Sequence, residues 1–197
     1  LCPLVGSHAL SKAEVTVLAT PRRDQHEKVG VLANRDGKVA VVEYTEASLP
    51  LVNYPYANTG IFIFSMDFIK KIADAILPWH LSLKKADTIN TEKMLWKSEK
   101  FLFDVFPFAA HIEVLVTARE DCFAPLKNAV GEDSFQTVRE ALANRDRQIL
   151  SQMIGAKIHE DLEIELDPAF YYLTKDLRQK WHGHRIPPNG TYVLPSS

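Results

Sequence analysis

The chain has 197 residues, 46% of them hydrophobic and 24% charged, so it is long enough for one domain with a sizeable core or two small ones. Its 23 Lys and Arg residues nearly balance 25 Asp and Glu residues, which argues against a general binder of nucleic acid or anionic membranes. Two cysteines are too few for a disulfide framework or a zinc site. This low cysteine count leads us to expect a cytoplasmic protein. No apolar run approaches the roughly 20 residues of a membrane helix.

The first part of the chain has the pattern of β-strands. Residues 13–20 are rich in β-branched side chains and predict a strand. Two apolar runs, 29–33 and 38–44, flank the dipeptide Asp36-Gly37, which supplies the positive φ angles of a tight turn. This arrangement predicts a β-hairpin. Residues 61–64 are all apolar and predict a strand that is covered on both faces.

The later elements indicate an α/β protein. Apolar side chains at helical spacing predict a helix over 66–77, directly after the apolar strand. The aromatic-rich segment 97–108 fits a helix or a strand, and its periodicity does not decide between them. A strand is predicted over 112–117 and an amphipathic helix over 138–154, whereas the residues from 156 onward mix short strands and turns.

Four polar or small residues stand near the predicted strand ends, where ligands bind in open α/β sheets. Gly30 marks either a bulge or a close approach of the backbone to a ligand. Glu43 and Asn58 are either solvated or bind hydroxyl and amide groups. Lys127 follows a Pro-fixed turn and is either a surface charge or a phosphate ligand. The sequence has no Gly-rich phosphate loop, no nucleophile elbow and no set of metal ligands at a recognisable spacing.

Four motifs between residues 27 and 129 resemble one enzyme family. Val41-Val42-Glu43-Tyr44-Thr45-Glu46, after a preceding Val29-Gly30-Val31, is similar to a "V-G-V … V-V-E-Y-S-E" hairpin. Tyr56-Ala57-Asn58-Thr59-Gly60-Ile61 is similar to "F-N-A-G-N-I" and closer still to the "N-T-G-I" of bacterial sugar-nucleotide transferases. Residues 99–108 are similar to "E-K-F-V-F-D-x-F-x-F". Residues 119–129 nearly match "R-E-D-E-F-S-P-L-K-N-A". In this order, these motifs are typical of the UDP-sugar pyrophosphorylase family, which includes UDP-N-acetylhexosamine pyrophosphorylases and UTP–glucose-1-phosphate uridylyltransferases.

The resemblance implies that a sugar 1-phosphate attacks the α-phosphate of UTP, with Mg²⁺ as cofactor, to give a UDP-sugar and pyrophosphate. It implies that Gly30 brings its backbone against the sugar, that Glu43 binds sugar hydroxyls and that Asn58 binds the sugar or its N-acetyl group. The substrate-binding residues it implies are Gly30, Glu43, Asn58, Phe101, Phe103 and Lys127. The resemblance implies that Phe101 and Phe103 line the sugar pocket. It also implies that Lys127 binds the phosphates and is the catalytic residue. UDP-N-acetylglucosamine is the favoured product, with a UDP-glucose or UDP-galactose former as the alternative.

The sequence also departs from this family. The family's "G-G-x-G-T-R-L-G" loop and "P-K" segment, which grip UTP, and its "D-N" element are absent from these residues. We therefore expect the C-terminal part of a longer enzyme, inactive by itself, or a non-catalytic relative that binds nucleotide sugars or a partner. The expected fold is α/β, with a mixed sheet from a truncated Rossmann-like nucleotidyltransferase domain over residues 1–155 and a small β-containing region over 156–197. An exposed sheet edge favours a homodimer.

Overall fold

The computed structural model describes residues 2–44, 53–87, 89, 91–155, 158, 164–166 and 192–194. The chain forms two compact units, Leu1–Ala118 and Arg119–Ser197, and each is described by itself. The boundary that we predict at 155/156 stays a prediction. The turn predicted at 187–190 lies outside the described residues.

The first unit contains two α-helices, a 3₁₀ helix and seven strands within its described residues. In chain order they are α1 (Cys2–Ser11), β1 (Val15–Pro21), β2 (Val31–Arg35), β3 (Lys38–Val42), β4 (Tyr56–Phe64), α2 (Met66–Ile72), β5 (His80–Asp87), β6 (Glu92–Glu99), the 3₁₀ helix (Leu102–Phe108) and β7 (Ile112–Val116). Five strands form one sheet in the order β3-β2-β4-β1-β7. Strand β1 is parallel to β7 and antiparallel to β4, so the predicted α/β fold with a mixed sheet is confirmed.

The core lies around β1, whose residues are all buried up to its last position. On one face of the sheet, Val15 and Val17 belong to a cluster that includes Phe68 of α2 and Phe106 of the 3₁₀ helix. On the other face, Nδ1 of His8 in α1 lies 2.8 Å from the hydroxyl of Thr16. Strand β1 is therefore covered by helices on both sides, which explains its uninterrupted run of buried residues.

A carboxylate joins three parts of this unit at the start of β1. Glu14 accepts hydrogen bonds from the amide of Ala110 and from Nζ of Lys71 at 3.3 Å, while its carbonyl accepts from the amide of Ser65 at 2.9 Å. The amide of Ala110 holds the pKa of the Glu14 carboxyl below its usual value of 4.5. Glu14 thereby fixes the entries to β7 and α2 relative to β1.

The predicted hairpin is confirmed, and the predicted helix after β4 is too long. Strands β2 and β3 pair up to Arg35↔Lys38, and the two turn residues have φ angles of 53° at Asp36 and 78° at Gly37. Helix α2 ends at Ile72 rather than at residue 77. The amide of Ala75 bonds to the Ile72 carbonyl at 2.9 Å, and this tighter turn interrupts the α-helical hydrogen-bond ladder.

The sequence did not predict the β5–β6 hairpin, which pairs antiparallel from His80↔Glu99 to Asp87↔Glu92. The undecided segment 97–108 divides between the end of β6 and the 3₁₀ helix, which contains Pro107. One face of this hairpin carries four exposed apolar side chains, Leu81, Leu83, Met94 and Trp96. Leu81 and Leu83 alternate with polar neighbours in β5, but neither face of the hairpin is buried in a core, and in β6 the run Met94-Leu95-Trp96 breaks the alternation by which strands are recognised.

The second unit is organised around one long helix. Its described elements are α3 (Arg119–Cys122), α4 (Phe135–Ile154), β8 (Ile164–Leu166) and β9 (Tyr192–Leu194). Helix α4 is terminated by Gly155, which has a φ of 68°, as predicted. It begins three residues earlier than predicted, after a cap in which the Ser134 amide donates to Oγ1 of Thr137 at 3.0 Å. The parallel pair β8–β9 agrees with the predicted β-containing C-terminal region. None of the described helices has the length and apolarity needed to span a bilayer.

Helix α4 is joined to β8 through a buried carboxylate. Asp146 is 6% exposed, and its Oδ2 accepts a hydrogen bond from the amide of Leu166 at 2.8 Å. Burial raises the pKa of Asp146 above its usual value of 3.8, which outweighs the lowering effect of the Leu166 amide. The buried negative charge of Asp146 therefore lowers the free energy of unfolding.

We expect Asp146→Asn to be more stable than the wild type at pH 7, because the amide oxygen still accepts from Leu166 and no charge is buried. Because the pKa of Asp146 is raised in the folded state, protonated Asp146 contributes fully to the free energy of unfolding at a pH below its unfolded-state pKa. This contribution is lost as the pH rises through the folded-state pKa. The advantage of the variant should therefore disappear on acidification. Urea unfolding at several pH values measures it. Asp146→Ala, which leaves the amide unpartnered, should lose about 1–3 kcal/mol. An Asn variant without any gain at pH 7 would contradict this account.

Candidate functional site

Gly30 lies buried just before β2, and the space beside it is filled by a carboxylate. A Cβ at this position would lie 2.7 Å from Oε1 of Glu43 and 3.3 Å from Cγ1 of Val41. Real Cβ atoms are almost never found as close as the first of these distances. Glycine is therefore required here for the Glu43 side chain to hold its position.

Asn58 lies on the other side of Gly30. Its backbone amide donates to the Gly30 carbonyl at 2.8 Å. This bond lies where β2 and β4 meet, at the pair Val31↔Ala57. The register between β1 and β4 shifts at this point, from Leu18↔Ile61 to Ala19↔Asn58, so two residues of β4 bulge out of the pairing. Bulges of this kind re-aim side chains and are frequent beside binding sites.

The bulge fixes the orientation of the Asn58 side chain. Gly60 adopts a φ of 77°, and its amide donates to Oδ1 of Asn58 at 3.1 Å. The hydroxyl of Thr59 donates to the Leu18 carbonyl at 2.7 Å. Among the described residues the amide nitrogen of the Asn58 side chain has no hydrogen-bond partner. Asn58 therefore offers a donor from an ordered side chain.

Arg22 holds the loop that leads to Gly30. Its guanidinium donates to the carbonyls of Gln25 at 2.9 Å, Tyr54 at 3.3 Å and Glu27 at 3.4 Å. These contacts tie the end of β1 to the segment before β4 and to the residues before Gly30. The sequence analysis did not select Arg22, and no motif pointed to it, because its role depends on carbonyl groups that only the folded loop brings together.

Phe101 and Phe103 form a second cluster in the same unit. Their rings stack with centroids 4.8 Å apart and planes 18° apart. Phe103 also packs against the core and lines a cavity of about 440 Å³ together with Val41. Val41 thus lies beside both the carboxylate at Gly30 and the aromatic pair. The structure brings the Glu43 side chain and the Asn58 backbone into contact with Gly30, and it places Phe103, one of the two stacked rings, beside Val41 of β3.

Lys127 belongs to the second unit, in a loop that leads into α4. The amides of Lys127 and Asn128 both donate to the Asp133 carbonyl, at 2.7 and 2.9 Å, and the Asn128 side chain donates to the Glu132 carbonyl at 2.7 Å. Gly131, with a φ of 80°, closes this loop. The side chain of Lys127 is exposed on an ordered backbone. A larger cavity of about 1010 Å³ lies along α4 and contains none of the predicted site residues.

No family model matches the chain. UDP-N-acetylglucosamine diphosphorylase 2 of Arabidopsis thaliana is 33% identical over 144 residues, which cover 66% of this chain and 28% of that protein. UDP-N-acetylhexosamine pyrophosphorylase-like protein 1 of Homo sapiens is 32% identical over 160 residues, which cover 70% of this chain and 32% of that protein. The chain belongs to the UDP-sugar pyrophosphorylase family.

A solved structure of this family has the same fold. The crystal structure of the uridine diphosphate N-acetylglucosamine pyrophosphorylase from Trypanosoma brucei in complex with inhibitor matches with a TM-score of 0.76 and 22% identity, over 98% of this chain and 45% of that chain. The likeness confirms the nucleotidyltransferase-type α/β fold implied by the motifs. The chain spans only 28% to 32% of the length of the two curated relatives, so what a complete UDP-sugar pyrophosphorylase does is a proposal for this one.

The family resemblance also implies Mg²⁺, and the described residues do not by themselves provide a full set of protein ligands for it. Within these segments, no three His, Cys, Asp or Glu side chains come together. Mg²⁺ in nucleotide-binding proteins is commonly held by one or two carboxylates together with substrate phosphates and water. No step of the chemistry is therefore derived through Mg²⁺ here.

Proposed function

We propose that this chain provides the sugar-binding part of an enzyme that forms UDP-N-acetylglucosamine and pyrophosphate from UTP and N-acetylglucosamine 1-phosphate. The observation that carries the proposal is the contact of Gly30 with both Glu43 and Asn58. The Glu43 carboxylate can accept from sugar hydroxyls, and the Asn58 side-chain amide, whose Oδ1 is held by the Gly60 amide, can donate to the carbonyl of an N-acetyl group. The names of the curated relatives favour the same amino sugar.

In the proposed reaction, a phosphate oxygen of the sugar 1-phosphate attacks the α-phosphorus of UTP, a bond forms to that oxygen, and pyrophosphate leaves with the electrons of the broken bond. Such transfers depend mainly on positioning and on neutralising charge. Glu43 and Asn58 orient the sugar, Phe101 and Phe103 exclude water from one of its faces, and Lys127 binds the phosphates. Mg²⁺, where the whole enzyme uses it, would neutralise phosphate charge.

Binding of UDP-N-acetylglucosamine and of UDP-glucose to this chain, measured by calorimetry, tests the proposal. We expect saturable binding that prefers UDP-N-acetylglucosamine. A preference for UDP-glucose would assign the chain to the UDP-glucose branch instead. Binding of neither sugar nucleotide would contradict the assignment of a sugar site to these residues.

Lys127→Ala is expected to weaken this binding about 10-fold to 100-fold, the range that corresponds to the roughly 1.5–3 kcal/mol of a hydrogen bond to a charged group. Lys93→Ala is the matched control, because Lys93 is an exposed lysine on β6 to which the sequence analysis assigns no role. Equal affinities of the two variants, measured by the same titration, would remove Lys127 from the phosphate site.

We also propose that the protein is cytoplasmic and forms a homodimer. The described sheet ends in the edge strands β3 and β7, and unpaired edges favour association between chains. Light scattering during size-exclusion chromatography measures the oligomeric state. A mass equal to one chain at micromolar concentration would contradict the homodimer.

A further inference from the structure

The base of the β5–β6 hairpin lies directly against the aromatic pair of the proposed sugar site. His80 begins β5 and pairs with Glu99 at the end of β6, two residues before Phe101. One position further out, Nζ of Lys100 lies 4.8 Å from the centre of the Trp79 ring. The hairpin base is therefore held by backbone pairing and by a cation–π contact.

His80, Phe101 and Asp104 form a closed ring of three contacts. Nε2 of His80 lies 2.8 Å from Oδ2 of Asp104. The amide of Asp104 donates to the carbonyl of Phe101 at 3.2 Å. The ring of Phe101 completes the circuit, with its centre 4.5 Å from that of the His80 ring.

The bond between His80 and Asp104 is well shielded, since the two side chains are 19% and 17% exposed. An ionised carboxylate only accepts hydrogen bonds, so Nε2 of His80 carries the hydrogen of this bond. The bond fixes the plane of the imidazole, which lies at 47° to the ring of Phe101. Phe101 also stacks on the ring of Phe103, which packs against the core.

We propose that His80, oriented by Asp104, is a positioning residue that sets the ring of Phe101 in the sugar site. This inference rests on the proposed function, in which Phe101 and Phe103 wall the sugar. Phe101 is the first residue before the 3₁₀ helix and has extended backbone angles, and the bond from the Asp104 amide to its carbonyl holds its backbone but not its ring. The contacts with His80 and Phe103 fix the position of the Phe101 ring.

The test uses the 197-residue chain with two measurements, one of ring position and one of affinity. In nuclear magnetic resonance spectra without ligand, His80→Ala is expected to shift the Phe101 ring resonances. In calorimetry, it should raise the Kd for UDP-N-acetylglucosamine about tenfold, the size expected when one aromatic contact is lost. Asp104→Ala should produce both changes, whereas Asp104→Asn, which keeps an acceptor oxygen for Nε2, should restore most of the affinity and the resonance positions.

Lys97→Ala is the control for the hairpin. It removes the ion pair with Glu99 on the same strand, 2.6 Å long, and should change neither measurement. Phe101 resonances that stay in place in His80→Ala overturn the proposal, and so do resonances that move without a change in Kd. If the wild-type chain binds no UDP-sugar, the proposed function fails, and the Phe101 resonances alone decide whether His80 holds that ring.

Discussion

Gly30→Ala is expected to weaken binding of UDP-N-acetylglucosamine about 10-fold to 100-fold, the loss that corresponds to the roughly 1.5–3 kcal/mol of a hydrogen bond to a charged group such as Glu43. The new methyl group would lie 2.7 Å from Oε1 of Glu43, so this carboxylate must move. Because Oε1 is at the end of a flexible side chain, rotation of Glu43 relieves most of the contact. Val41, at 3.3 Å, needs to shift by only a few tenths of an ångström. The loss should therefore appear in affinity rather than in folding.

Calorimetry and urea unfolding of the same variant separate these two effects. Gly6→Ala is the matched control, because Gly6 lies in α1 with no atom within 4 Å of an added Cβ. It should bind normally and gain up to about 1 kcal/mol in stability from the higher helix propensity of alanine. If Gly30→Ala binds as tightly as the wild type, the contact between Gly30 and Glu43 is not part of the sugar site.

Phe106→Ala is expected to lower the free energy of unfolding by about 3–5 kcal/mol, the usual loss for a buried phenylalanine. Phe106 is fully buried, and its ring makes an edge-on contact with that of Phe62 at 5.3 Å. It joins the 3₁₀ helix to the cluster around β1. The surrounding backbone belongs to a sheet and cannot collapse into the space left by the ring, so the cavity remains.

Urea unfolding followed by circular dichroism measures this loss. Leu102→Ala is the control in the same 3₁₀ helix, since Leu102 is 53% exposed and should cost little. Similar losses for the two variants would show that the 3₁₀ helix does not contribute to the core through Phe106. A cooperative transition in both variants is needed for the comparison, because only then does each midpoint report one free energy.

Local sequence patterns predicted the structure correctly where neighbouring residues alone determine the backbone conformation. The β2–β3 hairpin follows from Asp36 and Gly37, whose positive φ angles form the tight turn, and the end of α4 follows from Gly155 in the left-handed region. The family was recognised for a related reason, since its motifs are short runs whose residues act on one ligand. The functional roles of Gly30, Glu43, Asn58, Phe101, Phe103 and Lys127 stay predictions.

Other features depend on contacts between residues that are far apart in the sequence. The contacts of Arg22 and His80 depend on carbonyl groups and side chains that only the folded chain brings together, so no motif indicated these two residues. Asp104 stands in one of the family motifs, but its pairing with His80 does not follow from that motif. The β5–β6 hairpin was missed because its side chains do not alternate between a core and solvent. The early end of α2 is set by a turn at Ala75.

The sequence alone determined the α/β class, the family and the candidate residues, because periodicity, turn chemistry and motif order are properties of neighbouring positions. Only the tertiary structure decided which of those residues touch. It brought the Glu43 side chain and the Asn58 backbone into contact with Gly30 through the pairing of β2 with β3 and β4. Strand register and the bulge in β4 control these contacts, and both are set by packing across the whole sheet rather than by any single segment.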